Sequence, residues 1–304
     1  MFALTLLGRW CALRLKGVEH WLMEPVDSRA YASVRIAFAL SALSIWLDLW
    51  PLRLELFSNA GNFGPPIPQE VTRLNLFQWV SGTTGVSLVF AGVLVAIVCL
   101  GLGFGQRISA LFVYLWFTSY SAAAALALGG FDTVARLTSF LVAVSPVSSA
   151  WTLPRKAEAG RAPRYGLRLL QWQLALIYWI TVWLKAPDHF WRQGEVVSHF
   201  GVSMFARNPN PAFADLGVWD PLLTWGTLLI ETLVPVLLWK RSTRWVGLCL
   251  GLVLHGTIAV LGKLELFSLS MLPMYLAFLE DSDFERFARL VNLLRNSGSD
   301  SQPV

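Results

Sequence analysis

Apolar residues fall into long runs along this sequence, separated by short charged segments. Eight runs stand out, at approximately 30–50, 82–104, 108–130, 133–152, 168–186, 221–239, 245–262 and 264–280. Each approaches the roughly 20 residues an α-helix needs to cross the hydrocarbon core of a bilayer, the last being short. Pro273 inside the last run predicts a kink, which neighbouring helices can satisfy. Ahead of the first run, Leu6, Trp10, Leu13 and Trp21 fit a helical stripe and predict an interfacial helix within 1–26. That segment does not read as a signal peptide, because Arg9, Arg14 and Lys16 follow its short apolar start instead of preceding it. Past the last run, Phe284, Phe287, Val291 and Leu294 form a second stripe behind acidic residues. This predicts an amphipathic helix lying on the membrane within 282–304, with a disordered tail from Asn296. The pattern as a whole predicts an all-α integral membrane protein, with a transmembrane domain over 27–281 and short interfacial helices at both termini.

Composition agrees with this pattern. Hydrophobic residues make up 55% of the chain and charged residues only 14%, whereas soluble domains carry about 25% charged residues. The 15 Trp and 19 Phe suit belts at the two membrane interfaces. Cys11, Cys99 and Cys249 lie far apart in apolar stretches, without metal-ligand spacing. They read as buried small hydrophobes, and no metal is expected. The net charge of +5 has no basic aromatic patch behind it, so no nucleic-acid partner is expected.

Charge orients the bundle. With the N-terminus inside, the inner segments hold Arg9, Arg14, Lys16, Arg155, Lys156, Arg161, Arg164, Lys240, Arg241 and Arg286, among others. The outer side holds Arg53, Arg73, Arg136, Lys185, Arg192, Arg207 and Lys263. The inward excess places both termini in the cytoplasm, and the expected location is a bacterial inner membrane. Two long outer connections, about 51–81 and 187–220, are of a length that usually carries structure or function.

Ionisable residues inside spans are expensive and mark candidate sites. Gln171, Tyr178 and Lys185 recur every seven residues and share one helix face, near whose outer end Lys185 lies. Desolvation there favours the neutral amine, a usable base; a lysine snorkelling to the interface fits the same position. Glu231 shares a face with Thr224 and Thr227, and needs either a proton or a cation from a neighbouring helix. His255 lies on the face of Gly247 and Gly251, at a depth similar to Glu231, and reads equally as a partner or as a hydrogen-bonded core histidine. Asp132 and Arg136 share a face at the outer start of the fourth run, where a local ion pair is the simpler account. Arg35 lies in the inner half of the first span, suited to snorkelling or to pairing within the bundle. The outer half of the bundle is therefore expected to gather Asp132, Arg136, Lys185, Glu231 and His255 in a partly polar cavity.

The run Gln171-Trp172-Gln173-Leu174, then Ile177-Tyr178-Trp179, Lys185, Trp191 and Gly194, resembles the HTTM domain, the transmembrane domain of the vitamin K-dependent γ-carboxylase family. Similar features are Arg35, Gly130 with Asp132, Ser145-Pro146, Thr227 with Glu231 and Pro235, Arg244, His255, Phe267-Ser268 and Tyr275, so that the resemblance covers roughly 27–281. It implies a reduced quinone of the vitamin K or menaquinone type as cofactor, with O2 and CO2 as co-substrates. Quinol oxygenation to the epoxide would generate the base that removes a γ-proton from a glutamate side chain, to which CO2 adds. By the same resemblance Lys185 is the base that deprotonates the quinol, and Glu231 and His255 line its cavity. The partner so implied is an outer-side peptide or protein substrate; a thiol-oxidoreductase partner would go with the non-enzymatic class of function named below. The chain departs from the family where its Tyr-x-x-Ala-Gly-x-x-Lys run reads Tyr178-Trp179-Ile180-Thr181-Val182-Trp183-Leu184-Lys185, so the Ala-Gly pair is lost and bulky Val182 and Trp183 alter the expected helix packing. Nothing in the sequence matches the luminal substrate-binding domain of the animal enzymes. HTTM-only proteins of bacteria include peptide-toxin maturation factors, which implies a second, non-enzymatic class of function in maturation, immunity or assembly. A transporter fits least, because no paired Gly/Pro-broken spans mark two related halves.

Overall fold

The computed structural model describes residues 16–63, 74–123, 129–154 and 160–299. A helical segment at 16–23 leads into strand β1 (Pro25–Asp27), which pairs antiparallel with β2 (Arg161–Pro163). The long helices are α1 (Ser28–Leu49), α3 (Thr83–Leu102), α4 (Gln106–Ala123), α5 (Gly130–Val144), α6 (Tyr165–Lys185), α9 (Trp219–Trp239), α10 (Arg244–Leu261), α11 (Glu265–Leu276) and α12 (Asp281–Ser299). Short helices α2 (Arg53–Phe57), α7 (His189–Gln193) and α8 (Val196–Val202) lie in the two long connections.

A helix occupies each of the eight apolar runs, and among the described residues five of them, α1, α3, α6, α9 and α10, are by length and composition long and apolar enough to cross a membrane unaided. Local chemistry explains two of the shortfalls. The run expected to 152 stops at Val144, because Pro146 holds Ser145 in extended backbone (φ −71°, ψ 160°). The run expected to 280 ends at Leu276, where the bonds Phe278 N–H to Tyr275 O and Leu279 N–H to Leu276 O tighten the chain into a last turn of 3-10 type. At 12 residues α11 is short, yet it is the central helix, packed against α1, α5, α6 and α10. Ser270, Met271, Met274 and Tyr275 are buried there.

One apolar core fills the space between α1, α3, α4 and α5 around Phe90, Trp116 and Tyr120. A second lies between α1, α6, α9, α10 and α11 around Leu170, Tyr178 and Met274. The outward faces remain apolar, with Leu88, Val95, Leu184, Leu229, Leu252 and Val260 all exposed. Water does not reward such faces but lipid does, and the helices accordingly fit a multi-pass membrane protein. Cys249 lies on such an outward face of α10 and Cys99 is half-buried, correcting the expectation that both are core residues; Cys11 lies outside the described residues.

The bundle has two distinct ends. One, the strand end, carries β1, β2, the start of α6 and the start of α12. Phe284 of α12 is buried against Trp151, at 6.2 Å between ring centroids, and under the Arg29 guanidinium. The start of α12 is therefore docked on the protein, while Phe287 stays exposed as the amphipathic stripe predicts; the side chains of Val291 and Leu294 lie outside the described residues. The other, the loop end, carries the 187–220 connection. Asp188 caps α7 through Phe190 and Trp191 N–H, and Asp220 accepts the Val197 and Ser198 N–H of α8 at 3.1 Å each. Arg207 N–H to Leu261 O and Lys263 N–H to Phe205 O fasten the connection across the α10–α11 turn. This long loop is folded against the bundle, not free.

Candidate active site

The seven-residue spacing on α6 places Gln171 and Tyr178 in the interior and Lys185 at the helix end, a quarter exposed. Lys185 Nζ donates to both oxygens of Glu231, at 2.6 and 2.7 Å. Glu231, on α9, is 8% exposed, so burial obliges it to find a cation and α6 supplies one. Trp191 lies over the ammonium, 4.7 Å from Nζ to its ring centroid, in cation–π contact. The Trp225 indole N–H holds the Trp191 carbonyl at 3.1 Å, which fixes that residue against α9.

One helical turn or two below the ion pair lies a second polar group. The Tyr178 hydroxyl is 2.8 Å from His255 Nε2 and also hydrogen-bonds the Tyr275 hydroxyl. These residues tie α6, α10 and α11 together. Small residues permit the approach: a Cβ on Gly251 would sit 2.2 Å from the Tyr275 oxygen. The His255 Nδ1 atom is buried without a hydrogen-bond partner. Phe267 packs against the imidazole at 5.6 Å between centroids. The structure thus brings Tyr178, Lys185, Glu231 and His255 together at the loop end.

Gln171, Asp132 and Arg136 fall elsewhere. Gln171 Nε2 donates to Ala277 O at 2.8 Å, while its Oε1 accepts from Arg168, so Gln171 fastens α6 to the end of α11. Asp132 is buried and bonds to the Gly129 N–H and the Tyr120 hydroxyl. Among the described residues no ion pair joins Asp132 to Arg136, so the expected local pair is not formed: a carboxylate at the third position of α5 is taken up by the helix start. At the start of α5, Gly130 lies against Phe267, the ring that packs on the His255 imidazole.

The sequence reading left Tyr275 out of the site and gave Trp191 no role there. A buried tyrosine needs a partner for its hydroxyl, and that was the available signal for Tyr275. Trp191 sits six residues beyond Lys185 in a connection whose path the sequence does not specify. Tyr178, His255 and Tyr275 are buried in mutual contact. The two cavities described, of about 20 and about 390 Å³, lie at the strand end.

A bundle of apolar helices around one buried cluster of Lys, Glu, His and Tyr defines a membrane-type helical protein with a candidate proton-handling site. The chain belongs to the HTTM domain family, which matches residues 23–282. It is similar to the Bacillus subtilis (strain 168) protein described as "Uncharacterized protein YitO", at 26% identity over 232 residues, covering 69% of this chain and 68% of that one. No solved structure matches the chain.

Proposed function

We propose that this protein is a multi-pass membrane enzyme of the γ-carboxylase-like type, coupling quinol oxidation to modification of an outer-side peptide or protein. In this reading α1, α3, α4, α5, α6, α9, α10 and α11 all serve as spans in a bacterial inner membrane. Both termini lie in the cytoplasm and the Lys185 site is on the outer side. The observation carrying the proposal is the bidentate Lys185–Glu231 pair beside the Tyr178–His255–Tyr275 cluster. To act as a base, Lys185 would pass its proton to Glu231, leaving a neutral amine beside a neutral acid. The amine can then take a hydroxyl proton from a ligand, and the cluster below holds the helices that position both groups.

The residues present fit a reduced quinone of the vitamin K or menaquinone class. Lys185 is a quarter exposed at the end of α6, and the buried Nδ1 of His255, which has no hydrogen-bond partner among the described residues, is a second polar point. When bound, with O2 and CO2, such a group would supply the oxygenated base that removes a γ-proton and yields epoxide, water and a carboxylated glutamate. The closed geometry of the ion pair favours a second reading, a non-enzymatic factor for peptide or protein maturation, immunity or assembly, in which Lys185 and Glu231 simply staple α6 to α9. Purified protein supplied with a reduced naphthoquinone and O2, followed by mass spectrometry, separates the two. Epoxide that disappears in Lys185→Ala supports the enzyme; no epoxide above the protein-free control supports the scaffold.

A further inference from the structure

Away from this site, Arg35 is a buried cation that no carboxylate pairs with among the described residues. Its side chain enters the bundle from α1 and the residue is 3% exposed. Nη2 donates to Trp151 O at 2.7 Å and reaches Ala150 O at 3.4 Å. A guanidinium has five N–H donors, and those on Nε and Nη1 have no hydrogen-bond partner among the described residues. Among the described residues no carboxylate pairs with it, although Arg29, Arg161, Arg164, Arg168 and Arg244 nearer the strand end all have one. The carboxyl end of α3 faces the guanidinium: Gly103 caps that helix at φ 78°, and a Cβ there would fall 1.9 Å from Nη1. Helix dipole and carbonyls together offset only part of a buried full charge.

Arg35 also lines a cavity of about 20 Å³, together with Arg107, Tyr31, Gln106, Ser145 and Ser148. That volume admits one guest of about water size. Two arginines contribute to the wall and no acidic residue does. The guest this lining favours is therefore an anion, and its size selects a small one.

We propose that the Arg35–Arg107 cavity binds a single small monovalent anion of chloride size, which completes the charge balance between α1, the end of α3 and the 145–154 connection. The proposal is independent of the quinol chemistry at the loop end. Thermal unfolding of the full-length protein in lipid-free detergent tests it, with sodium chloride titrated against sodium gluconate at constant ionic strength. The expected result is a saturable rise of several degrees in the unfolding midpoint, from preferential binding to the folded state. Arg35→Gln removes this dependence on chloride. Should that variant fail to accumulate, Arg107→Gln carries the test, with the half-saturating chloride concentration rising about threefold or more. Equal midpoints in chloride and gluconate would overturn the proposal. So would stabilisation by an anionic phospholipid without any response to chloride, which would assign the charge to a headgroup.

Discussion

Each end of this bundle holds a buried ion pair, built to different plans. At the strand end, Arg244 and Asp283 are each 5% exposed and joined by two bonds of 2.7 and 3.0 Å. Their neighbours are engaged too: Glu280 meets Arg244 at 2.7 Å, and Asp281 holds both Arg161 and the Asp27 N–H. An arginine is always protonated and its planar fork gives geometry, so this network serves to hold α10, α12 and the two strands together. At the loop end the cation is a lysine, a point charge that can lose its proton. It has one carboxylate, partial access from outside and a cluster of phenols and imidazole beneath it. A clasp and a proton-handling site thus use the same kind of contact; the choice of cation and the company it keeps distinguish them.

This contrast can be broken or sharpened by mutation. Asp283→Ala leaves Arg244 with only Glu280 and should cost about 3 kcal/mol of stability, read as loss of folded protein on size-exclusion chromatography and a lowered melting temperature. Lys185→Met strands the Glu231 carboxylate and should cost about 2 kcal/mol, most of it recovered in Lys185→Met/Glu231→Leu. Epoxide formation, in contrast, should not return in the double variant. A loop-end pair whose double variant is no more stable than the single one would belong with the clasp. Tyr275→Phe removes one of the two bonds to Tyr178 and should cost about 1 kcal/mol, measured by denaturant titration in mixed micelles. The smallest effect concerns Asp27 at the strand end. Burial alone would raise its pKa, but two kinds of hydrogen bond from Arg29 and its charge outweigh burial and leave the carboxyl below its ordinary 3.8. A carboxyl lowered on folding stabilises the protein above the unfolded value and ceases to do so as pH falls through the folded one. Wild type should therefore lose its advantage over Asp27→Asn, of less than about 1 kcal/mol, as pH drops below about 4. A constant difference between pH 3 and 6 would refute that linkage.

Much of the loop-end site could be read along one helix. The repeat Gln171, Tyr178, Lys185 names one face of α6 because helical geometry is local, and Glu231 announces its need for a cation by lying in an apolar run. The identity of the partners was less accessible. Lys185 and Glu231 are 46 residues apart, and Tyr178 and Tyr275 are 97 apart, so their meeting depends on helix packing that no local pattern encodes. Gln171 shows the limit from the other side: it shares the face of Tyr178 and Lys185, yet packing delivers it to the Ala277 carbonyl and a fastening role. Pro146 gave a local signal for the end of α5 that a hydropathy window overrides. The central position of α11, which lets a helix of 12 residues serve the bundle, is a property of its neighbours and not of its own sequence.

The most direct measurement compares epoxide formation from a reduced naphthoquinone by wild type, by Lys185→Ala and by Arg244→Met/Asp283→Leu, at matched amounts of folded protein. The account predicts epoxide from wild type and from the strand-end variant, and none from Lys185→Ala. Undiminished epoxide from Lys185→Ala would contradict it and remove Lys185 from the chemistry.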